Sequence, residues 1–265
     1  MIKSLLIGTL SFFIAISPIV VLGLYIYNKD KNKEPKKVIA KMFAGGLLSA
    51  VATICITFIL RFLFPGIDKV DDYRGSMQLF LYSFCFISLV GVLIKWLIVY
   101  FFSYKDKEFD ELYDMIVYSI FVALGFACAQ NLFYIYNYGL VLGVVKMFSS
   151  IPSHAAIAIF MGYFLALSKL AFYNGNLKKY KKYMALSIFA PAFLHGTYDY
   201  FLFLANPVMI YIFLIFITVL YIMAYHNIRE LADCNIELKE VKCPYCGADL
   251  KDKVTECPSC GKNLE

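Results

Sequence analysis

The sequence predicts an all-α polytopic membrane protein, with about seven transmembrane helices and a small C-terminal zinc-ribbon domain. Three observations carry that prediction. The 265 residues are 61% hydrophobic and 17% charged, against about 45–50% and about 25% in a soluble domain. Apolar runs of about 20 residues, the length that crosses a bilayer, recur along the chain. Four cysteines near the C-terminus form two CPxCG turns. A soluble protein with several wholly buried helices is the weaker reading of the same figures. The net charge of +6 does not signal nucleic-acid affinity, because the lysines cluster in short loops between the apolar runs, where they set orientation.

Taken in order, the spans are expected at 4–27, 41–64, 77–103, 112–136, 152–172, 183–204 and 206–226. Lys3 precedes the first run, as in a signal peptide, but the run is too long and lacks a clear small-residue cleavage site. Segment 140–149, LVLGVVKMFS, is too short to cross and reads as a surface or re-entrant helix. The membrane domain is thus 1–226, a polar linker follows at 227–242, and the ribbon is 243–265.

Basic residues set the orientation. One side of the bundle collects Lys29, Lys31, Lys33, Lys36, Lys37, Lys41, Lys105, Lys107, Lys169, Lys178, Lys179, Lys181 and Lys182. The other side has Lys3, Lys69, Arg74 and Lys146. The positive-inside rule puts the N-terminus outside and the C-terminal tail in the cytoplasm. Tyrosines near span ends, such as Tyr25, Tyr27, Tyr100, Tyr104, Tyr134 and Tyr136, suit interfacial belts.

In the tail, Cys243, Cys246, Cys257 and Cys260 form CxxC, a ten-residue spacer and CxxC. Four thiolates in a tetrahedron suit Zn²⁺ and close a structural site. A pair of disulfides is disfavoured on the reducing cytoplasmic side. A domain this small needs such a staple. Catalysis is not expected, since no ligand position stays open. Lys242, Lys251, Lys253 and Lys262 are balanced by Asp249, Asp252, Glu256 and Glu265, so no nucleic-acid footprint is present. A cytoplasmic protein contact, or plain capping, is the expectation. Cys55, Cys85, Cys128 and Cys234 are scattered, and the three within spans read as small packing residues.

Polar groups inside lipid are costly and mark function. Span four carries Gln130 and Asn131 in its outer half. His154 falls near the outer end of span five. His195 and Asp199, four positions apart and so on one helix face, fall in the outer half of span six. Three spans therefore place polar side chains at similar depth, which favours a shared cavity over separate interhelical hydrogen bonds. Lys95, near the middle of span three, points at the same cavity or pairs with Asp114. Arg61 can snorkel. Pro191 frees a backbone carbonyl one turn from His195.

These residues lie in blocks that resemble the PrsW family of intramembrane proteases, over roughly residues 15–205. The first loop, YNKDKNKEPKKVIAKMF, is similar to the family's KD…EP segment, and KDKEFDELYDMIVYSIFVALGFACAQNLFY to its FDE…LGFA…EN block. IPSHAAIAIFMGYFLALSK resembles the PxHA…GYY…AK block, and APAFLHGTYDYFLF the LLHGxYDF block. The resemblance implies a polytopic protease that cuts membrane-anchored proteins, such as anti-sigma factors, near the outer face. It also implies a site made of EExxK and FxxxEN motifs, a lone histidine and HxxxD, in which a glutamate deprotonates water and histidines orient it or hold a metal.

The departures fall on the acids. The EExxK motif lands on GVLIK, so Gly91 and Val92 replace both glutamates while Lys95 stays. The FxxxEN motif lands on FACAQN, so Gln130 replaces glutamate while Phe126 and Asn131 stay. No Glu or Asp occurs between Asp72 and Lys105, and Glu108, Asp110 and Glu111 sit in the cytoplasmic loop. The leading expectation is a pseudoprotease that binds single-span membrane proteins without cutting them. The alternative is an active metalloprotease using His154, His195 and Asp199 around a second metal in the membrane. Transport or sensing through the cavity is the third.

Overall fold

The computed structural model describes residues 2–66, 77–104, 111–204, 207–233, 241–243, 245–250, 256–257 and 259–263. Expectations resting on Lys69, Arg74, Lys105, Lys107, Glu108, Asp110, Cys234, Lys251, Asp252, Lys253, Glu265 and linker residues 234–240 lie outside them. Seven long helices make up the described membrane part: α1 (Ile2–Lys29), α2 (Lys36–Leu63), α3 (Met77–Tyr104), α4 (Asp114–Tyr138), α5 (Leu140–Tyr173), α6 (Leu177–Leu204) and α7 (Pro207–Ala232). Helix α3 loosens into π-helical turns at Tyr82–Ser88 and Tyr100–Tyr104.

Five helices, α2, α3, α4, α5 and α7, are long and apolar enough to cross a bilayer on length and composition alone. Helix α6 opens on LKKYKKY, which dilutes its apolar content, and it is drawn into the bundle by packing along α5. Proline opens two helices at positions where its missing N–H costs nothing, Pro35 just before α2 and Pro207 as the first residue of α7.

Helices α4 and α5 form the heart of the bundle. Their most apolar stretches are 72% and 67% buried, against 17% for α2 and 11% for α7, which therefore face lipid. Close packing needs small residues where backbones meet. A Cβ built on Gly125 of α4 would lie 2.1 Å from the Phe43 carbonyl oxygen of α2, and one on Gly162 of α5 would lie 2.4 Å from the Met115 carbonyl oxygen of α4.

Two sequence expectations change. Segment 140–149 is not a separate surface helix: it is the first part of the 34-residue helix α5, which continues unbroken through Pro152. An internal proline removes one backbone hydrogen bond, and α5 tolerates it where its neighbours pack around it. His154 therefore sits roughly 21 Å into α5, near its middle and not at its outer end. At the other end of the chain, α7 runs on to Ala232, six residues into the stretch read as linker.

In the tail, strands β1 (Val241–Lys242) and β2 (Asp249–Leu250) pair antiparallel. A further bridge joins Glu256 and Asn263.

Candidate functional site

Four helices bring the polar side chains together at the centre. Gln130 projects from α4 to His154 on α5, with His154 Nε2 and Gln130 Oε1 3.0 Å apart. The amide oxygen can only accept, so in this arrangement the imidazole donates through Nε2–H. The His154 and His195 rings are 5.2 Å apart, edge to face. One turn further along α6, Asp199 Oδ2 lies 3.6 Å from His195 Nε2, an electrostatic contact beyond hydrogen-bond reach. Both histidines are 6% exposed.

Lys95 of α3 reaches the same centre. Its ammonium stands 4.4 Å from the Phe126 ring centroid, and that ring packs against His154 at 5.3 Å. Of the two alternatives for Lys95, the centre is the one the structure shows. Asp114 instead accepts from the Glu111 N–H at 2.8 Å, at the basic end of the bundle. Asn131 is 4% exposed, yet neither its amide nitrogen nor its oxygen has a hydrogen-bond partner among the described residues. The Nδ1 atoms of both histidines share that condition.

The scaffold of this centre is partly irregular. Ser88, at the end of the π-helical turn in α3, donates to the Ala192 carbonyl of α6 at 2.5 Å. Trp96 donates its indole N–H to Ser187 Oγ at 2.8 Å. These bonds hold α3 against the Pro191 region of α6, where helical hydrogen bonding is interrupted.

As placed, His154, His195 and Asp199 do not present three donors to one ion. Among the described residues, two groups of three or more His, Cys, Asp or Glu donors gather within 4.8 Å of one another: Cys243, Cys246, Cys257 and Cys260, and Asp30, Glu111 and Asp114. The cysteine group fits zinc closely. Its Sγ atoms are 3.7 Å apart for Cys243 and Cys260 and 3.6 Å for Cys246 and Cys257, while a tetrahedron with Zn–S of about 2.3 Å has edges of about 3.8 Å. Each CPxCG turn closes through a glycine at positive φ, Gly247 at 73° and Gly261 at 65°, whose N–H bonds back to the first cysteine's carbonyl at 2.8 Å. Burial raises the Cys257 thiol, but the N–H groups of Ser259 and Cys260 and the neighbouring thiols outweigh it and bring it down to about 6. The Cys246 and Cys260 thiols are shifted the other way, up, so zinc binding has to displace protons from the cluster.

Sequence reasoning missed the acidic group. Asp30, Glu34 and Asp114 are buried. Tyr118 donates to Glu34 Oε2 at 2.5 Å, and Asn32 Nδ2 donates to Glu111 Oε1 at 3.0 Å. This network ties the α1–α2 loop to the start of α4. Its signal was available in the KD…EP and FDE…D blocks, which put acids in two loops on the same side.

A bundle built this way is a multi-pass membrane protein whose polar centre lies within its lipid-facing shell. Residues 34–225 match the family described as PrsW family intramembrane metalloprotease. Protease PrsW of Clostridioides difficile (strain 630) is 32% identical over 215 residues, covering 79% of this chain and 86% of that protein. Protease PrsW of Geobacillus kaustophilus (strain HTA426) is 34% identical, covering 71% and 77%. Protease PrsW of Bacillus subtilis (strain 168) is 30% identical, covering 71% and 80%. No solved structure matches. The chain belongs to the PrsW family of intramembrane proteases.

Proposed function

We propose that this protein is a PrsW-type shell without the family's acid–base chemistry, and that it binds single-span membrane proteins without cutting them. The supporting observation is the partner of His154, the neutral Gln130 amide at 3.0 Å. An amide neither takes nor gives a proton near neutral pH, so it cannot activate water as a general base. Gly91 and Val92 supply no carboxylate from α3, and Asp199 is left as the acid beside the imidazoles. The name protease, shared by the relatives, suggests membrane-anchored proteins as the class the shell takes.

The reading carries three further assignments. His154, His195, Asp199, Gln130, Asn131 and Lys95 line the client-binding centre. The ribbon from residue 243 holds one structural zinc and is available to a cytoplasmic protein partner. The N-terminus lies outside and the ribbon inside, on the strength of the lysine bias between loops. An active metalloprotease built on His154, His195 and Asp199 is the second reading, favoured by family membership. It needs those three side chains to draw closer than they stand.

Purified protein should bind a single-span transmembrane peptide and release no fragments. Fragment release abolished by His195→Ala would establish the second reading instead. Gly91→Glu, Val92→Glu and Gln130→Glu together should restore cleavage. A Cβ at position 91 meets only Thr53 Cγ2, at 3.9 Å, so a longer side chain has room to start there.

A further inference from the structure

Away from the imidazoles, α1 and α2 both lean on α4 and scarcely touch each other. Between them runs a groove of about 410 Å³, floored by Phe121 and Leu124 of α4. Its deep end is marked by Ile16 and Phe43, and its mouth by Tyr27 and Lys36. Ile16 to Tyr27 is eleven residues, or about 16 Å of helix. That is about half of a hydrocarbon core of about 30 Å, the depth of one leaflet. Over this length the groove is lined almost wholly by apolar surface. It has the size and apolar character of a site for a single hydrocarbon chain.

The mouth is charged. Lys33, Lys36 and Lys37 of the α1–α2 loop are exposed, whereas the two acids of that loop, Asp30 and Glu34, are turned inward at 3% and 4% exposure. The face the loop offers to the membrane surface is therefore positive. Lys33 Nζ stands 5.7 Å from the Tyr27 ring centroid, which places it at the rim. The Tyr27 hydroxyl donates to the Glu34 carbonyl at 3.1 Å and holds that rim in place.

We propose that this groove binds one anionic glycerophospholipid, with an acyl chain between α1 and α2 and its phosphate at Lys33 and Lys36. Charge complementarity at the mouth selects the headgroup, and the apolar channel supplies the remaining affinity. A zwitterionic lipid carries the same phosphate, but its own cation offsets that charge, so the two ammonium groups favour a lipid with net negative charge.

Native mass spectrometry of the full chain, with phosphatidylglycerol and phosphatidylcholine of identical acyl chains, tests this. The wild type should retain phosphatidylglycerol over phosphatidylcholine by roughly fivefold for each participating lysine. Lys33→Gln with Lys36→Gln should bring the two lipids close to parity while still retaining both. Ala40→Phe, which fills the groove from an exposed position on α2, should lower retention of both, with an unchanged helical spectrum as the folding check. Parity in the wild type would overturn the proposal, as would a preference that survives loss of both lysines. So would displacement of the lipid by a single-span helical peptide, since the groove would then belong to a client.

Discussion

Gln130 and Asn131 are neighbours in sequence and opposites in circumstance. Gln130 is bonded to His154, and Asn131 is buried with both polar atoms unpaired among the described residues. Removing one member of a buried pair strands the other, at about 1–3 kcal/mol, and interhelical polar contacts in membranes run to about 1.7 kcal/mol at most. Gln130→Leu should therefore lower stability by about 1–2 kcal/mol, read as a drop in melting temperature in detergent. Asn131→Leu should be neutral or stabilising in the same assay, because it removes an amide with no hydrogen-bond partner among the described residues. If Asn131→Leu at the same time weakens binding of a single-span peptide, its unpaired amide serves the client. Which residue types would gather at the centre was legible in the sequence, since Gln, Asn, His and Asp stand out against apolar surroundings. Which of them pair was not, because a hydrogen bond depends on helix rotation that these all-round apolar spans do not encode.

The helices owe their partners to small residues more than to any apolar stripe. Gly46 and Gly125 let α2 and α4 meet backbone to backbone, and a Cβ on Gly46 would fall 2.1 Å from the Val122 carbonyl oxygen. Backbone cannot swing aside as a flexible side chain can, so Gly125→Ala should cost about 1–3 kcal/mol or more as overpacking. Gly91→Ala is the matched control. Its Cβ meets only Thr53 Cγ2 at 3.9 Å, and alanine favours helix by about 1 kcal/mol over glycine, so its melting temperature should hold or rise. The runs that became helices were readable from hydropathy alone. The exception was 140–149, where the run looked too short to cross and read as a surface or re-entrant helix. The helix persists because its start packs on the end of α4, where a Cβ on Gly143 would lie 2.2 Å from Ile135 Cγ1. That contact depends on how α4 and α5 fold back on each other, and no local pattern states it.

The whole chain joins two parts with different sources of stability. The bundle is held by packing around α4 and α5, while the ribbon has two strands of two residues each and four cysteines. A unit so small cannot supply a sufficient hydrophobic core, so on the proposed reading its folding waits on metal binding. The full chain should accordingly bind about one zinc per molecule by elemental analysis, and Cys257→Ser should lose it while leaving the bundle's melting temperature in place. A chain ending at residue 233, just past the end of α7, should hold almost none. Stoichiometric zinc in that shortened chain would put a metal among the imidazoles and revive the hydrolytic reading. The same cysteines report orientation. Because consecutive spans alternate in direction, fixing the side of the tail fixes every loop, including the basic α1–α2 loop and the lipid site beneath it. After a permeant chelator strips the zinc from intact cells, a membrane-impermeant thiol reagent should leave the tail unlabelled until the cells are opened. Labelling before that point would turn the bundle over, set its lysines against the positive-inside rule, and move the imidazole centre to the cytoplasmic half of the bilayer.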